Sequence, residues 1–177
     1  DRLGSPRVIL LYAWRKWLDF HKLIEAVIHT CSTGKEIAKD DEGTLISRFP
    51  VDRLLIEGKA SGISVAQEMV RLYGFSGKFG IEVIDPRKFG DKVARVHSIE
   101  HFFSQGLIYA PRRNFADLVI EETSAFPNGR FDDLTDSMSM ALRYMREVGL
   151  LLHNDEYEER ETQEMSYQSA LPPLYQV

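Results

Sequence analysis

Hydrophobic and polar positions along this chain fall into blocks that read as strands followed by helices. Val8-Ile-Leu-Leu-Tyr-Ala-Trp14 is an unbroken apolar run, the pattern of a strand buried on both faces of a sheet. Asp19 then offers an N-cap, and Phe20, Leu23, Ile24, Val27 and Ile28 recur at the three- and four-residue spacings of one helical stripe. Ser32 to Pro50, with Gly34, Gly43 and Pro50 around a charged centre, predicts a long surface loop or insertion. Arg53-Leu-Leu-Ile-Glu57 predicts a short strand that ends in an acid. Gly58 to Gly62 turns it into a helix over 63–73, with Val65, Met69 and Leu72 inward.

The second half repeats the alternation. Phe79 to Ile84 predicts a strand stopped by Asp85-Pro86, and Asp91 caps a helix reaching Gln105 whose buried face is Val93, Val96, Ile99 and Phe103. Gly106 ends that helix, and a brief strand over Leu107 to Tyr109 follows. A helix over Asn114 to Ser124, a turn at Phe126-Pro-Asn-Gly129 and a last helix from Asp133 to about Leu151 complete the pattern. This alternation predicts one α/β domain over residues 1–151, with a sheet covered on both faces. Residues 152–177 predict an acidic tail ending near Leu-Pro-Pro-Leu, disordered or docked on a partner.

Composition narrows the class. With 177 residues, 44% of them hydrophobic and 28% charged, the chain is long enough for one core. It has no apolar run of membrane-spanning length and no basic start followed by an apolar stretch, so a soluble, intracellular protein without membrane contact is expected. The single cysteine, Cys31, has no internal disulfide partner and reads as packing at a helix end. A net charge of −5 argues against a DNA partner only until it is located: the tail's six acids and its one base, Arg160, account for all of it. The rest of the chain is neutral overall, and its basic residues are free to cluster on one face.

Two acidic positions are candidates for chemistry. Glu57 sits where a strand runs into a glycine-flanked turn, the edge at which open α/β sheets carry functional groups. It could equally cap the next helix or pair with Lys59. Asp132, Asp133 and Asp136 crowd the start of the last helix, with Asp133 and Asp136 three apart on one face. Acids there also favour the helix dipole, and Asp132 could be an N-cap. Carboxylates brought together without thiolates point to bound Mg²⁺ or Mn²⁺. Two such ions about 4 Å apart can activate water and stabilise the leaving oxygen in phosphodiester hydrolysis. Lys59, Arg87, Lys88, Lys92, Arg95, Arg112, Arg113 and Arg130 lie mostly in loops after strands, where a phosphate backbone would need them. No Gly-x4-Gly-Lys-Ser/Thr loop for ATP phosphates occurs.

Several segments, in order and spacing, resemble the C-terminal nuclease domain of tailed-phage terminase large subunits. They are Leu11-Tyr-Ala-Trp-Arg15 with Asp19-Phe-His-Lys-Leu23, Leu54-Leu-Ile-Glu-Gly-Lys-Ala-Ser-Gly-Ile-Ser64, Asp91-Lys92 with Arg95, Gly106-Leu-Ile-Tyr-Ala-Pro111, and Glu122 followed by Phe126 to Ser137. The likeness covers roughly residues 7 to 148. It implies an RNase H-like fold, a central mixed sheet flanked by helices, that cuts concatemeric viral DNA with two divalent ions held at three acidic positions.

Residue by residue, the resemblance gives the second acidic position to Glu57 and the third to Asp132-Asp133, Asp133 first, with Asp136 in support. Lys92 matches a family lysine near the active site, a phosphate or leaving-group contact, while Lys59, Arg87, Lys88, Arg95, Arg112 and Arg130 are expected to hold DNA. The implied partners are double-stranded DNA, the portal and procapsid, the small terminase subunit and an ATPase domain, in the cytoplasm of an infected host cell. The first acid belongs to a strand preceding the one at Val8, so the chain is expected to start inside the domain and to be weakly active or inactive as it stands. Two other readings remain: a non-catalytic DNA- or portal-binding module with the tail as docking element, and a small-molecule α/β enzyme using Glu57 as base.

Overall fold

The structure is a computed structural model that describes residues 6–31, 38–39, 45–46, 51–73, 79–85, 87, 90–152 and 162. Its elements run β1 (Val8–Ile9), α1 (Phe20–Cys31), β2 (Ala38–Lys39), β3 (Leu45–Ile46), β4 (Arg53–Glu57), α2 (Ala60–Tyr73), β5 (Gly80–Ile84), α3 (Lys92–His97), α4 (Glu100–Ser104), β6 (Ile108–Tyr109), α5 (Asn114–Ala125) and α6 (Asp133–Glu147). This is the mixed α/β class. The expected continuous sheet is, among the described residues, a set of separate pairs: β1 with β6 and β4 with β5, both parallel, and β2 with β3 antiparallel.

One core forms over β4 and β5. Strand periodicity puts Leu54, Ile56 and Ile81 on one face, where they pack against Ile24 of α1 and Val65 and Met69 of α2. Asp19 caps α1 as its sequence predicts, its Oδ1 accepting the Lys22 N–H at 2.9 Å. Within the predicted stripes, Phe20 and Leu72 are exposed instead of buried. A second core joins Ile99, Phe102, Leu142 and Leu151, with Val8 and Ile108 of the other parallel pair, and Leu107 just before β6, packed on it.

Three expectations are corrected. The Val8–Trp14 strand is short: only Val8 and Ile9 pair with β6, with the Leu10 N–H extending the ladder to the Tyr109 carbonyl at 2.9 Å. The 32–50 segment is not wholly loop, since Ala38 pairs with Ile46 and Lys39 with Leu45, while the rest of it lies outside the described residues. The helix predicted from Asp91 to Gln105 breaks at Ser98-Ile99 into α3 and α4. Ile99 is buried as expected, but Arg95 and Phe102 are buried beside it in place of Val93 and Phe103, which are exposed. Gly106 does end α4, in the left-handed region at φ +68° that favours glycine. The predicted acidic tail lies outside the described residues apart from Leu152, which is buried, and Thr162. Among the described residues no helix is long and apolar enough to cross a membrane.

Candidate functional site

Glu57 is the last residue of β4, opposite Ile84 at the C-terminal end of the parallel pair. The chain turns at once: the Gly58 N–H donates to the Ile84 carbonyl at 2.7 Å and the Lys59 N–H to the Glu57 carbonyl at 2.9 Å. The first turn of α2 then returns so close that a Cβ on Gly62 would lie 2.0 Å from the Glu57 carbonyl oxygen. Glycine is required there for the close approach, and that approach fixes where Glu57 projects.

α3 supplies the cations. Asp91 caps it, accepting the Ala94 N–H at 2.8 Å, and places Lys92 and Arg95 three residues apart on one face. α6 supplies two acids, through an unusual division of labour at its start. Asp132 is the N-cap residue but makes no side-chain cap bond. Glu122 of α5, which is buried, caps the helix instead, its Oε1 accepting the Leu134 N–H at 2.6 Å and the Thr135 N–H at 3.1 Å. The same carboxylate pairs with Arg15, whose guanidinium also lies over the Phe131 ring, 3.8 Å from its centroid. The Asp132 side chain is thereby released from helix capping.

These elements bring Glu57, Asp132 and Asp136 together around Lys59, Lys92 and Arg95. Lys92 Nζ lies 2.6 Å from Asp132 Oδ2 and 2.9 Å from Asp136 Oδ2. Arg95 joins Asp136 at 3.0 Å and Glu57 at 3.5 Å, and Lys59 lies 3.0 Å from the same Glu57 oxygen. Three carboxylates face three cations, so the cluster is neutral as it stands. The hydrogen bond to Asp132 holds Lys92 protonated above the usual lysine range, with Asp136 adding to the effect and partial burial opposing it. Among the described residues Arg95 Nε makes no hydrogen bond, and Glu57 Oε1 makes none of hydrogen-bond geometry although Lys59 and Arg95 both ion-pair with it.

The donors fit a hard divalent cation in kind, since they are carboxylate oxygens only. They do not form a complete ligand set, because among the described residues no three His, Cys, Asp or Glu side chains converge in metal-holding geometry. Glu57 and Asp136 approach through Arg95, whereas Asp133 is exposed and outside the ion-pair network.

The basic residues divide likewise. Arg95, expected at the DNA, is a correction: its side chain is 5% exposed and its guanidinium is committed to Glu57 and Asp136. Arg112 is exposed, as is Arg130, which lies 5.1 Å from the Phe131 ring centroid. Arg87 is exposed but paired with Asp85 at 3.1 Å, and Lys88 lies outside the described residues. A signal for Arg95 was present in the sequence: it is the charged member of an i, i+4, i+7 stripe whose other members are Ile99 and Phe102. Nothing local signals the Arg15–Glu122 pair.

An apolar cavity of about 740 Å³ lies between residues 8–14 and helices α5 and α6, lined among others by Leu10, Tyr12, Val119 and Met138. Among the described residues no carboxylate, imidazole, lysine or arginine lines it, so the ionic chemistry described here belongs to the cluster and not to the cavity. Comparison of the chain with known protein families, with curated proteins and with solved structures finds no match.

Proposed function

We propose that this chain is an RNase H-like nuclease domain of a viral DNA-packaging terminase, cutting concatemeric double-stranded DNA by metal-dependent phosphodiester hydrolysis. The observation that carries the reading is the meeting of Glu57, from the end of β4, with Asp136, from the first turn of α6, on one buried guanidinium. Acids delivered from separate elements to one point at the C-terminal edge of a parallel pair are what such hydrolysis needs. The ordered motifs from Leu54 to Ser64 and from Phe126 to Ser137 carry the family part of the proposal.

Mg²⁺ or Mn²⁺ would be held by Glu57 and Asp136, with Asp132 next in reach. When bound, such ions activate water and neutralise charge on the phosphate. A complete two-ion site asks for one more carboxylate, which the family carries on a strand preceding the one at Val8. Lys92, protonated and 43% exposed, is suited to a phosphate or leaving-group oxygen. Arg112 and Arg130 are suited to the DNA backbone. The portal and procapsid, the small terminase subunit and an ATPase domain are the proposed partners.

Plasmid nicking in Mn²⁺ tests the assignment. Glu57→Ala and Asp136→Ala should abolish nicking, and Asp133→Ala should leave most of it. Undiminished cutting by both of the first two variants would reject the reading. The neutral balance of the cluster favours a second reading, a non-catalytic DNA- or portal-binding module in which Lys92 and Arg95 serve only to hold α3 on α6. Wild-type DNA binding without any Mn²⁺-dependent nicking would support it.

A further inference from the structure

We propose that Trp17, with Lys16 beside it in the chain and Arg130 at the Phe131 ring, is a stacking platform for an unpaired base of single-stranded DNA. The inference takes from the reading above only that the partner is DNA, and adds which form of it this edge receives. Trp17 is 92% exposed, whereas an indole in a folded domain is ordinarily largely buried. A ring standing free in solvent offers its π faces to a base.

The chain holds this ring near the start of α6. Arg15, two residues earlier, pairs with Glu122 and lies over Phe131, 3.8 Å from the ring centroid. Consecutive Cα atoms are about 3.8 Å apart, so the Trp17 backbone stays within about 8 Å of the Arg15 backbone. Arg130 lies 5.1 Å from the same ring centroid. On the other side of Trp17, Asp19 caps α1 through the Lys22 N–H at 2.9 Å, and Lys22 Nζ offsets its charge at 3.0 Å. Lys16 and Arg130 are exposed and, among the described residues, in no ion pair, as is the acid Asp133. The surplus is a single positive charge, enough to admit a phosphate backbone but too little to carry the binding. Stacking is therefore the main attraction.

An exposed indole beside cations also suits a lipid interface. Here α1 turns Leu23, Ile24, Val27 and Ile28 onto the first core, so the helix that follows Trp17 has no continuous apolar face left to enter a bilayer. Phe20, 48% exposed, is the apolar residue of that helix nearest to Trp17 in the chain. A base needs only the ring. In a duplex each base already stacks on its neighbours, whereas a single strand leaves its bases free to meet an aromatic side chain.

Fluorescence of the full chain in EDTA tests this. Trp14 and Trp17 are the two tryptophans, and Trp14 is half-buried with its Nε1 donating to the Thr30 hydroxyl at 2.9 Å. Oligothymidylate of about 12 nucleotides should quench the emission of the wild type and not that of Trp17→Phe. Trp17→Ala should bind the same oligonucleotide about tenfold more weakly, with its affinity for blunt duplex unchanged. Its salt slope should equal that of the wild type, because the lost contact is uncharged. Quenching that needs Trp17, together with a selective loss of single-strand affinity in Trp17→Ala, supports the proposal. Wild-type DNA binding without Trp17-dependent quenching, or with single-strand affinity unchanged in Trp17→Ala, or lost equally on duplex, overturns this inference alone. A blue shift of Trp17 emission on phosphatidylserine vesicles with no quenching by the oligonucleotide assigns the ring to lipid and also overturns it. No binding to either DNA overturns the DNA reading, and this inference with it.

Discussion

Glu122 accepts the backbone N–H of Leu134 at 2.6 Å, so the helix that carries Asp132 and Asp136 is capped by a side chain from the preceding helix. The same carboxylate holds Arg15, far away in the sequence. Glu122→Ala should therefore remove a helix cap and an ion pair together, costing about 2–4 kcal/mol of stability, lowered from a fully buried pair because Arg15 is 29% exposed. Glu122→Gln retains an acceptor for the two amides and should lose about half as much. Urea denaturation measures both, and equal stability of the three proteins would remove Glu122 from this role.

The site shows what a sequence can and cannot carry. Glu57 at a strand end, Asp91 as a cap and the acids around Asp132 were legible because each depends on neighbours within one element. The burial of Arg95 was only half legible: its spacing to Ile99 and Phe102 puts it on their stripe, but the two acids that neutralise it there come from β4 and α6. The preference for Asp133 over Asp136 has a similar origin. Three-residue spacing puts both on one side of a helix, but only the packing of α3 on α6 decides which one faces the cations. The continuous sheet was inferred from alternating strands and helices, a pattern that fixes neither strand length nor lateral pairing.

Two glycines should respond to substitution for different reasons. At Gly62 an added methyl would meet the Glu57 carbonyl oxygen at 2.0 Å, a backbone atom with no freedom to turn aside. Gly62→Ala should cost about 2–3 kcal/mol and shift the first turn of α2, and Glu57 with it. At Gly106 no atom lies within 4 Å of the added methyl, and only the positive φ of +68° opposes it. Gly106→Ala should cost about 1–2 kcal/mol and leave Glu57 undisturbed. Thermal melts give the costs, and Mn²⁺ titration of each variant reads the disturbance. Equal effects of both substitutions on Mn²⁺ binding would contradict the distinction.

Lys92 makes stability pH-dependent on the alkaline side. Its folded-state pKa is raised, chiefly by the hydrogen bond to Asp132, so folding favours the protonated amine. The sign follows: the contribution is complete below the unfolded lysine value, about pH 10, and is lost as pH rises through the folded value. The stability difference between wild type and Lys92→Met should be constant from pH 7 to about pH 10 and shrink above it. Because Lys92 is 43% exposed, the difference should be at most about 1 kcal/mol. A difference that instead grows with alkaline pH in urea titrations would contradict the ion-pair assignment.

The exposed cations lead to a prediction about DNA that separates Arg112 and Arg130 from Arg95. If the first two meet phosphates, each releases about one condensed counterion on binding, and log K falls with log salt accordingly. Arg112→Ala and Arg130→Ala should each weaken binding to unrelated duplexes by similar factors and reduce the salt slope by about 1. Arg95 is buried against Glu57 and Asp136, so Arg95→Met should lower stability and leave the salt slope unchanged. Arg87 already shares its charge with Asp85, and its removal should alter the slope less than either exposed arginine. Fluorescence anisotropy with a labelled duplex between about 50 and 200 mM salt resolves slopes of this size. A slope that changes with Arg95→Met but not with Arg112→Ala or Arg130→Ala would place the DNA on the carboxylate cluster itself.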